Sequence, residues 1–272
     1  MLINTVLIFL QNILPIFLVI SLLLAQQKLV YKIKPSRSYL SVIQLLKVTV
    51  SGLLLISLLN YYMPIISPLF SGTGLELIFS ILFSWIYCLI VISISTNKRP
   101  SNKNGINLGI ILLVLCVHGS YFSFYILSFT IESASFEILY SGIVIGVIIG
   151  TGICFSIAIL LYFILRKLDE TTKGKAASYF LLFFGVGQLM QALQLLEQVD
   201  IISSNIHLWS TSYLIAEDSE LGYLLTILFG YEATPSAMEL MVYFSAIVVP
   251  ILINKYMAYQ QNGNIDRIKG TD

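Results

Sequence analysis

The chain has 272 residues, of which 57% are apolar and 11% charged, with a formal net charge of +1 and a mean hydropathy of +0.90. Such a balance excludes an ordinary soluble domain and offers no concentrated basic charge for nucleic acid, so an integral membrane protein embedded in a lipid bilayer is expected. Three cysteines, Cys88, Cys116 and Cys154, fall inside apolar segments without CxxC spacing; they read as small packing residues rather than a metal site or a disulfide.

Apolar runs of about 20 residues, the length a helix needs to cross a bilayer, occur near 4–25, 39–59, 76–95, 108–130, 139–165, 177–197 and 237–257. The expected fold is all-α: a single membrane domain over 1–272 with seven transmembrane helices. The first lysine is Lys28, so the first apolar stretch lacks the basic leader of a cleaved signal and is expected to stay as a span. Pro15 lies in its middle.

Basic residues orient the spans. Lys28, Lys32, Lys34, Arg37, Lys98, Arg99, Lys103, Arg166, Lys167, Lys173 and Lys175 fall in the loops 26–38, 96–107 and 166–176, and Lys255, Arg267 and Lys269 close the last span or follow it. The other connections hold no Lys or Arg. The positive-inside rule then places the amino terminus outside and the carboxyl terminus in the cytoplasm, as an odd number of spans requires.

Acids are distributed the other way. Glu76, Glu132, Glu137, Glu197, Asp200, Glu217, Asp218, Glu220, Glu232 and Glu239 sit on or near the expected outer side, against Asp169, Glu170, Asp266 and Asp272 inside. An acidic face concentrates cations, although exclusion of lysine by topology alone produces the same asymmetry. Lys47, the one Lys or Arg in an expected span away from its end, reads as a snorkelling side chain ahead of a partner for a buried carboxylate.

Gly142, Gly146, Gly150 and Gly152 give the fifth span small-residue spacings suited to close helix contact. In the sixth, Gln188, Gln191, Gln194 and Gln198 recur at spacings of three and four, an amide stripe that must face protein or water. Spans one to three and four to six form two sets of three, so a second set would begin from the opposite side of the membrane. That is the plan of a 3+3 inverted repeat with a last helix added, and such folds place their site at the repeat interface.

The segment about 198–236 reads as an outer amphipathic or re-entrant element, since the apolar run from Leu221 to Phe229 is too short to span. Within and after it stand Trp209, Ala216-Glu217-Asp218-Ser219, Leu221-Gly222, Leu224-Leu225, Leu228-Phe229-Gly230-Tyr231, Ala233, Pro235-Ser236 and Tyr243. In these residues the chain resembles the high-affinity iron permease family, the oxidase-dependent iron transporters. The resemblance implies seven spans in the cytoplasmic membrane, iron as transported substrate rather than cofactor, and a periplasmic oxidase or metal-delivery protein as partner. It also implies that Glu217 and Asp218 belong to an outer-loop motif.

That family carries an Arg-Glu-Gly-Leu-Glu type motif in its first and fourth spans, whose glutamates supply hard oxygen ligands. The corresponding positions here are Gln11-Asn12-Ile13-Leu14-Pro15 and Val117-His118-Gly119-Ser120-Tyr121. All four carboxylates are replaced, and only Gly119 is kept. The metal-ligand candidates become His118 and Tyr121, with a nitrogen and a phenolic oxygen, and Gln11 and Asn12, with amide oxygens. His118 also reads as a hydrogen-bonded packing residue, and His207 as a solvated loop residue.

Positions 12, 15, 118 and 121 are expected to converge, each pair sharing a helix face. No nucleotide-binding loop, catalytic His and Ser pair or cofactor motif is visible, so an enzyme is not expected. Three functions remain: inward transport of iron or a related divalent metal; a non-transporting paralogue acting as a partner or assembly subunit; and, drawing on the amide stripe and His118 and with the least support, transport of a different solute.

Overall fold

The computed structural model describes residues 2–33, 42–66, 73–95, 103–132, 136–172, 175–202, 208–216 and 219–269. These form eight helices: α1 (Leu2–Ile33), α2 (Val42–Ile66), α3 (Gly74–Ser95), α4 (Lys103–Glu132), α5 (Phe136–Thr171), α6 (Ala176–Gln198), α7 (Glu220–Phe229) and α8 (Ala237–Lys269). Stretches in six of them, Leu2–Gln26, Gly74–Ser95, Asn104–Leu127, Gly142–Thr171, Ala176–Gln198 and Ala237–Tyr256, are long and apolar enough to cross a bilayer. The architecture is that of an all-helical, multi-pass membrane protein. The apolar stretch of α2 found among the described residues, Ile43–Leu58, is shorter than this, although α2 as a whole has 25 residues.

Helices form here because lipid leaves backbone N–H and C=O groups no partner outside the segment itself. Pro15 and Pro250 are accommodated inside continuous helices. α1 packs on α4, α5 and α6; α3 packs on α4 and α6; α2 packs on α4; and α6 also meets α5, α7 and α8. At their meeting lie fully buried Leu18, Leu22, Ile86, Ile90, Ile110 and Phe184. The outward faces of α2 and α5 expose Leu46, Leu53, Ile148 and Phe163, as lipid-facing surface does, and Lys47 lies on that exposed side of α2.

The α5 glycines divide into two pairs. A Cβ on Gly146 would come within 2.9 Å of Thr5, and one on Gly150 within 2.5 Å of Phe9, so both permit the close approach of α1. Gly142 and Gly152 meet nothing within 4 Å and do not serve the close contact expected of all four. At the far end of α5, Asp169 Oδ1 accepts the Ala177 N–H at 3.1 Å, tying the end of one helix to the start of the next.

Between α6 and α8 the chain folds on itself. Leu208 N–H donates to Pro235 O at 3.1 Å and Thr211 N–H to Ala233 O at 2.8 Å, while Tyr231 Oη donates to Ile215 O at 2.9 Å. α7 starts at Ser219, whose hydroxyl accepts the Gly222 N–H, and ends at Gly230, which takes the left-handed conformation (φ 67°) that glycine adopts without steric cost. α8 opens on a capping box: Glu239 Oε2 accepts the Ser236 N–H at 2.6 Å, and Ser236 Oγ accepts the Glu239 N–H at 3.2 Å.

Candidate functional site

On α1, Gln11 and Asn12 are adjacent polar residues between the apolar runs 6–10 and 13–20. Asn12 Nδ2 donates to Ile8 O at 2.8 Å, which satisfies the amide nitrogen locally and leaves Oδ1 as its remaining acceptor. Pro15 has no N–H to offer the carbonyl of Gln11 four residues earlier. It is buried, and it is not part of the cavity wall that Gln11 and Asn12 help to form.

On α4, His118 is 4% exposed. Its Nε2 lies 3.0 Å from Gln188 Oε1 on α6. An amide oxygen only accepts, so Nε2 carries the proton and Nδ1 is left with its lone pair. The Phe83 ring packs edge-on against the imidazole at 5.6 Å, and Tyr121, one turn further, stacks on Phe79 at 4.6 Å. Gly119, between them, turns away: a Cβ there would fall 2.5 Å from Ile56 Cδ1 of α2, so this glycine serves helix packing.

On α6 the amide stripe splits. Gln188 is fully buried and pairs with His118, while Gln191, Gln194 and Gln198 reach the same cavity as Gln11, Asn12, His118 and Tyr121. α7 contributes Thr226 and Ile227 to the wall. It is held at close range by α6, since a Cβ on Gly187 would meet Ile227 O at 3.0 Å and Gly230 N and Thr226 O at 3.2 Å.

The cavity measures about 280 Å³. The four ligand candidates named from the sequence therefore share one wall, although α1 and α4 contribute them from positions more than a hundred residues apart; of the positions expected to converge, 15 alone stands outside it. Phe83, Thr226 and Ile227 were not foreseen, because nothing in the apolar pattern of α3 or of the short α7 announces which face closes a cavity. Glu217, Asp218 and His207 lie outside the described residues.

The described wall contains no Asp, Glu, Lys or Arg, and among the described residues no three His, Cys, Asp or Glu side chains gather in a group suited to a metal. What it presents is amide, hydroxyl and imidazole groups. Such a surface can replace part of the hydration shell of a cation with neutral dipoles, or hydrogen-bond a polar solute. Without a fixed positive charge, it gives an anion no counter-charge.

Comparison with known proteins yields no match to this chain among family models, curated sequences or solved structures.

Proposed function

We propose that the chain is a divergent iron permease of the cytoplasmic membrane, carrying iron or a related divalent metal inward through the amide-lined cavity. The observation that carries this reading is the meeting of Gln11, Asn12, His118 and Tyr121, the positions of the family's two glutamate motifs, on a single cavity. In this reading α2 also crosses the membrane, giving seven spans with the amino terminus outside, and the α7 end of the bundle faces outward. The basic loops support that orientation.

The helix pairings support a 3+3 repeat. Exchanging α1–α3 with α4–α6 turns the α1·α5 pairing into α4·α2 and α3·α4 into α6·α1, and it leaves α1·α4 and α3·α6 as they are; these six pairings are present, and α5·α6 is the exception, its counterpart α2·α3 not being among the main pairings of the described residues. The cavity then lies at the interface of the two halves, where transporters with inverted repeats place their substrate.

Neutral donors bind a bare ion less tightly than carboxylates, because buried charge needs compensation worth several kcal/mol. A permeation site must release as well as capture, and weak binding serves that end. The test is uptake of labelled iron, in both oxidation states and at several pH values, by a transport-deficient host carrying the gene. Uptake above the empty vector is expected, and uptake equal to it refutes transport.

The absence of a carboxylate from the described wall favours a second reading, in which the chain keeps the fold as a non-transporting partner or assembly subunit. Co-purification with another membrane or periplasmic protein, together with no uptake, would establish it.

A further inference from the structure

A second cavity, of about 290 Å³, lies between the 208–216 segment, the end of α7 and the first turns of α8. Its wall includes two carboxylates, Glu232 and Glu239, with the hydroxyl-bearing Thr211, Tyr231 and Tyr243, and no Lys or Arg. Glu239 is 2% exposed. Its Oε2 is taken by the α8 capping box, while Oε1 has no hydrogen-bond partner within the protein. A buried carboxylate oxygen normally has one. Glu232 Oε2 lies 3.5 Å from Gln194 Nε2, and Gln194 stands in the wall of the amide-lined cavity, so a single side-chain contact joins the two walls.

We propose that this second cavity binds a divalent cation through Glu232 and Glu239, and that Glu232 passes the ion to the amide-lined cavity by way of Gln194, whose amide turns its oxygen in place of its NH2 toward the carboxylate to receive it. Two carboxylates sharing a cavity without a base repel each other, and a cation between them relieves that repulsion. Carboxylate, hydroxyl and phenol oxygens are hard ligands, so the class of ion is a hard or borderline divalent metal. The binding step stands on the cavity alone, whereas the passage to the second site rests on the permease reading.

Trp209 lines the same cavity and supplies a probe, since terbium(III), a hard oxygen-seeking ion, emits when a nearby excited indole transfers energy to it. Purified full-length chain in detergent should give saturable tryptophan-sensitised terbium emission, displaced by manganese(II). Trp209→Phe should remove the emission. Glu232→Gln and Glu239→Gln each keep the shape of the side chain and one oxygen acceptor, for the Gln194 amide and the Ser236 N–H respectively, while removing the charge and one metal-ligating oxygen, and each should weaken terbium binding at least tenfold.

Asp200→Asn is the control: Asp200 is exposed, and its φ of 57° suits asparagine, so its affinity should match the wild type. Emission from wild type that does not saturate, or unchanged affinity in both glutamine variants, overturns the site. For the passage step, Glu232→Gln should raise the KM of iron uptake with its maximal rate retained, and an unchanged KM overturns that step. Absence of uptake by wild type with terbium binding intact would refute the permease reading and the passage step with it, leaving the cation site standing.

Discussion

Replacing Gly187 by alanine puts the attachment of α7 to a direct test. The new methyl group would lie 3.0 Å from the Ile227 carbonyl oxygen and 3.2 Å from both Gly230 N and Thr226 O. All three are backbone atoms, so no side chain can swing aside; α7 must retreat by about 0.4 Å to reach ordinary contact, and Thr226 and Ile227 retreat with it. Overpacking of this kind costs about 1–3 kcal/mol. Alanine in mid-helix returns up to about 1 kcal/mol relative to glycine, which has to be separated out.

Gly152→Ala makes that separation, because a Cβ there meets nothing within 4 Å and the variant collects the helix gain alone. The two alanine variants should therefore differ by about 1–3 kcal/mol. At roughly 2–4 °C per kcal/mol for a chain of this order of size, Gly187→Ala should melt at least about 2 °C below Gly152→Ala in the same detergent. Equal melting temperatures, or a higher one for Gly187→Ala, would refute the close packing of α7 on α6.

Other outcomes follow from the site and the proposed topology. His118→Ala leaves Gln188 buried with no partner for its amide oxygen, a loss of about 1–3 kcal/mol to be read as a lower melting temperature; wild-type stability would show that the pair contributes nothing. Combining Asn12→Glu, His118→Glu and Tyr121→Glu returns carboxylates to the shared wall and should raise manganese(II) affinity by calorimetry, and a folded variant without that gain would deny the cavity a metal geometry. Ser203→Cys should react with an impermeant thiol reagent applied to intact cells, while a reporter fused after Gly270 should be cytoplasmic. Protection of the cysteine would reverse the proposed orientation.

Hydropathy alone located the helices now seen as α1, α3, α4, α5, α6 and α8, because a bilayer core imposes a length and a polarity that any window can detect. It underestimated their ends: α5 runs to Thr171 and α8 to Lys269, past the apolar cores at 139–165 and 237–257, since helical hydrogen bonding does not stop where hydropathy falls. The amide stripe was legible from its spacing, but the inward turn of Gln188 was not. His118 is 70 positions away from it, and no local pattern encodes a pairing between two spans.

Ser236 and Glu239 form a Ser-x-x-Glu cap at the start of α8 that is readable in the sequence itself. Convergence of α1 with α4 was anticipated through the motif positions, and it succeeded for Asn12, His118 and Tyr121. It missed at position 15, where a proline stands in place of a polar side chain and lies buried outside the cavity wall.

The bond between His118 and Gln188 has a use beyond holding α4 to α6. The chain contains two histidines, so nitrogen-15 labelling of histidine alone gives a spectrum of two rings, and His207→Gln reduces it to one. A protonated Nε2 and a bare Nδ1 have well-separated shifts. Any motion that slides α4 past α6 by a helical turn, about 5.4 Å, must break the 3.0 Å contact and change the exchange rate of that proton. The imidazole thus works as a built-in displacement gauge, readable in lipid without attaching any foreign label to the protein.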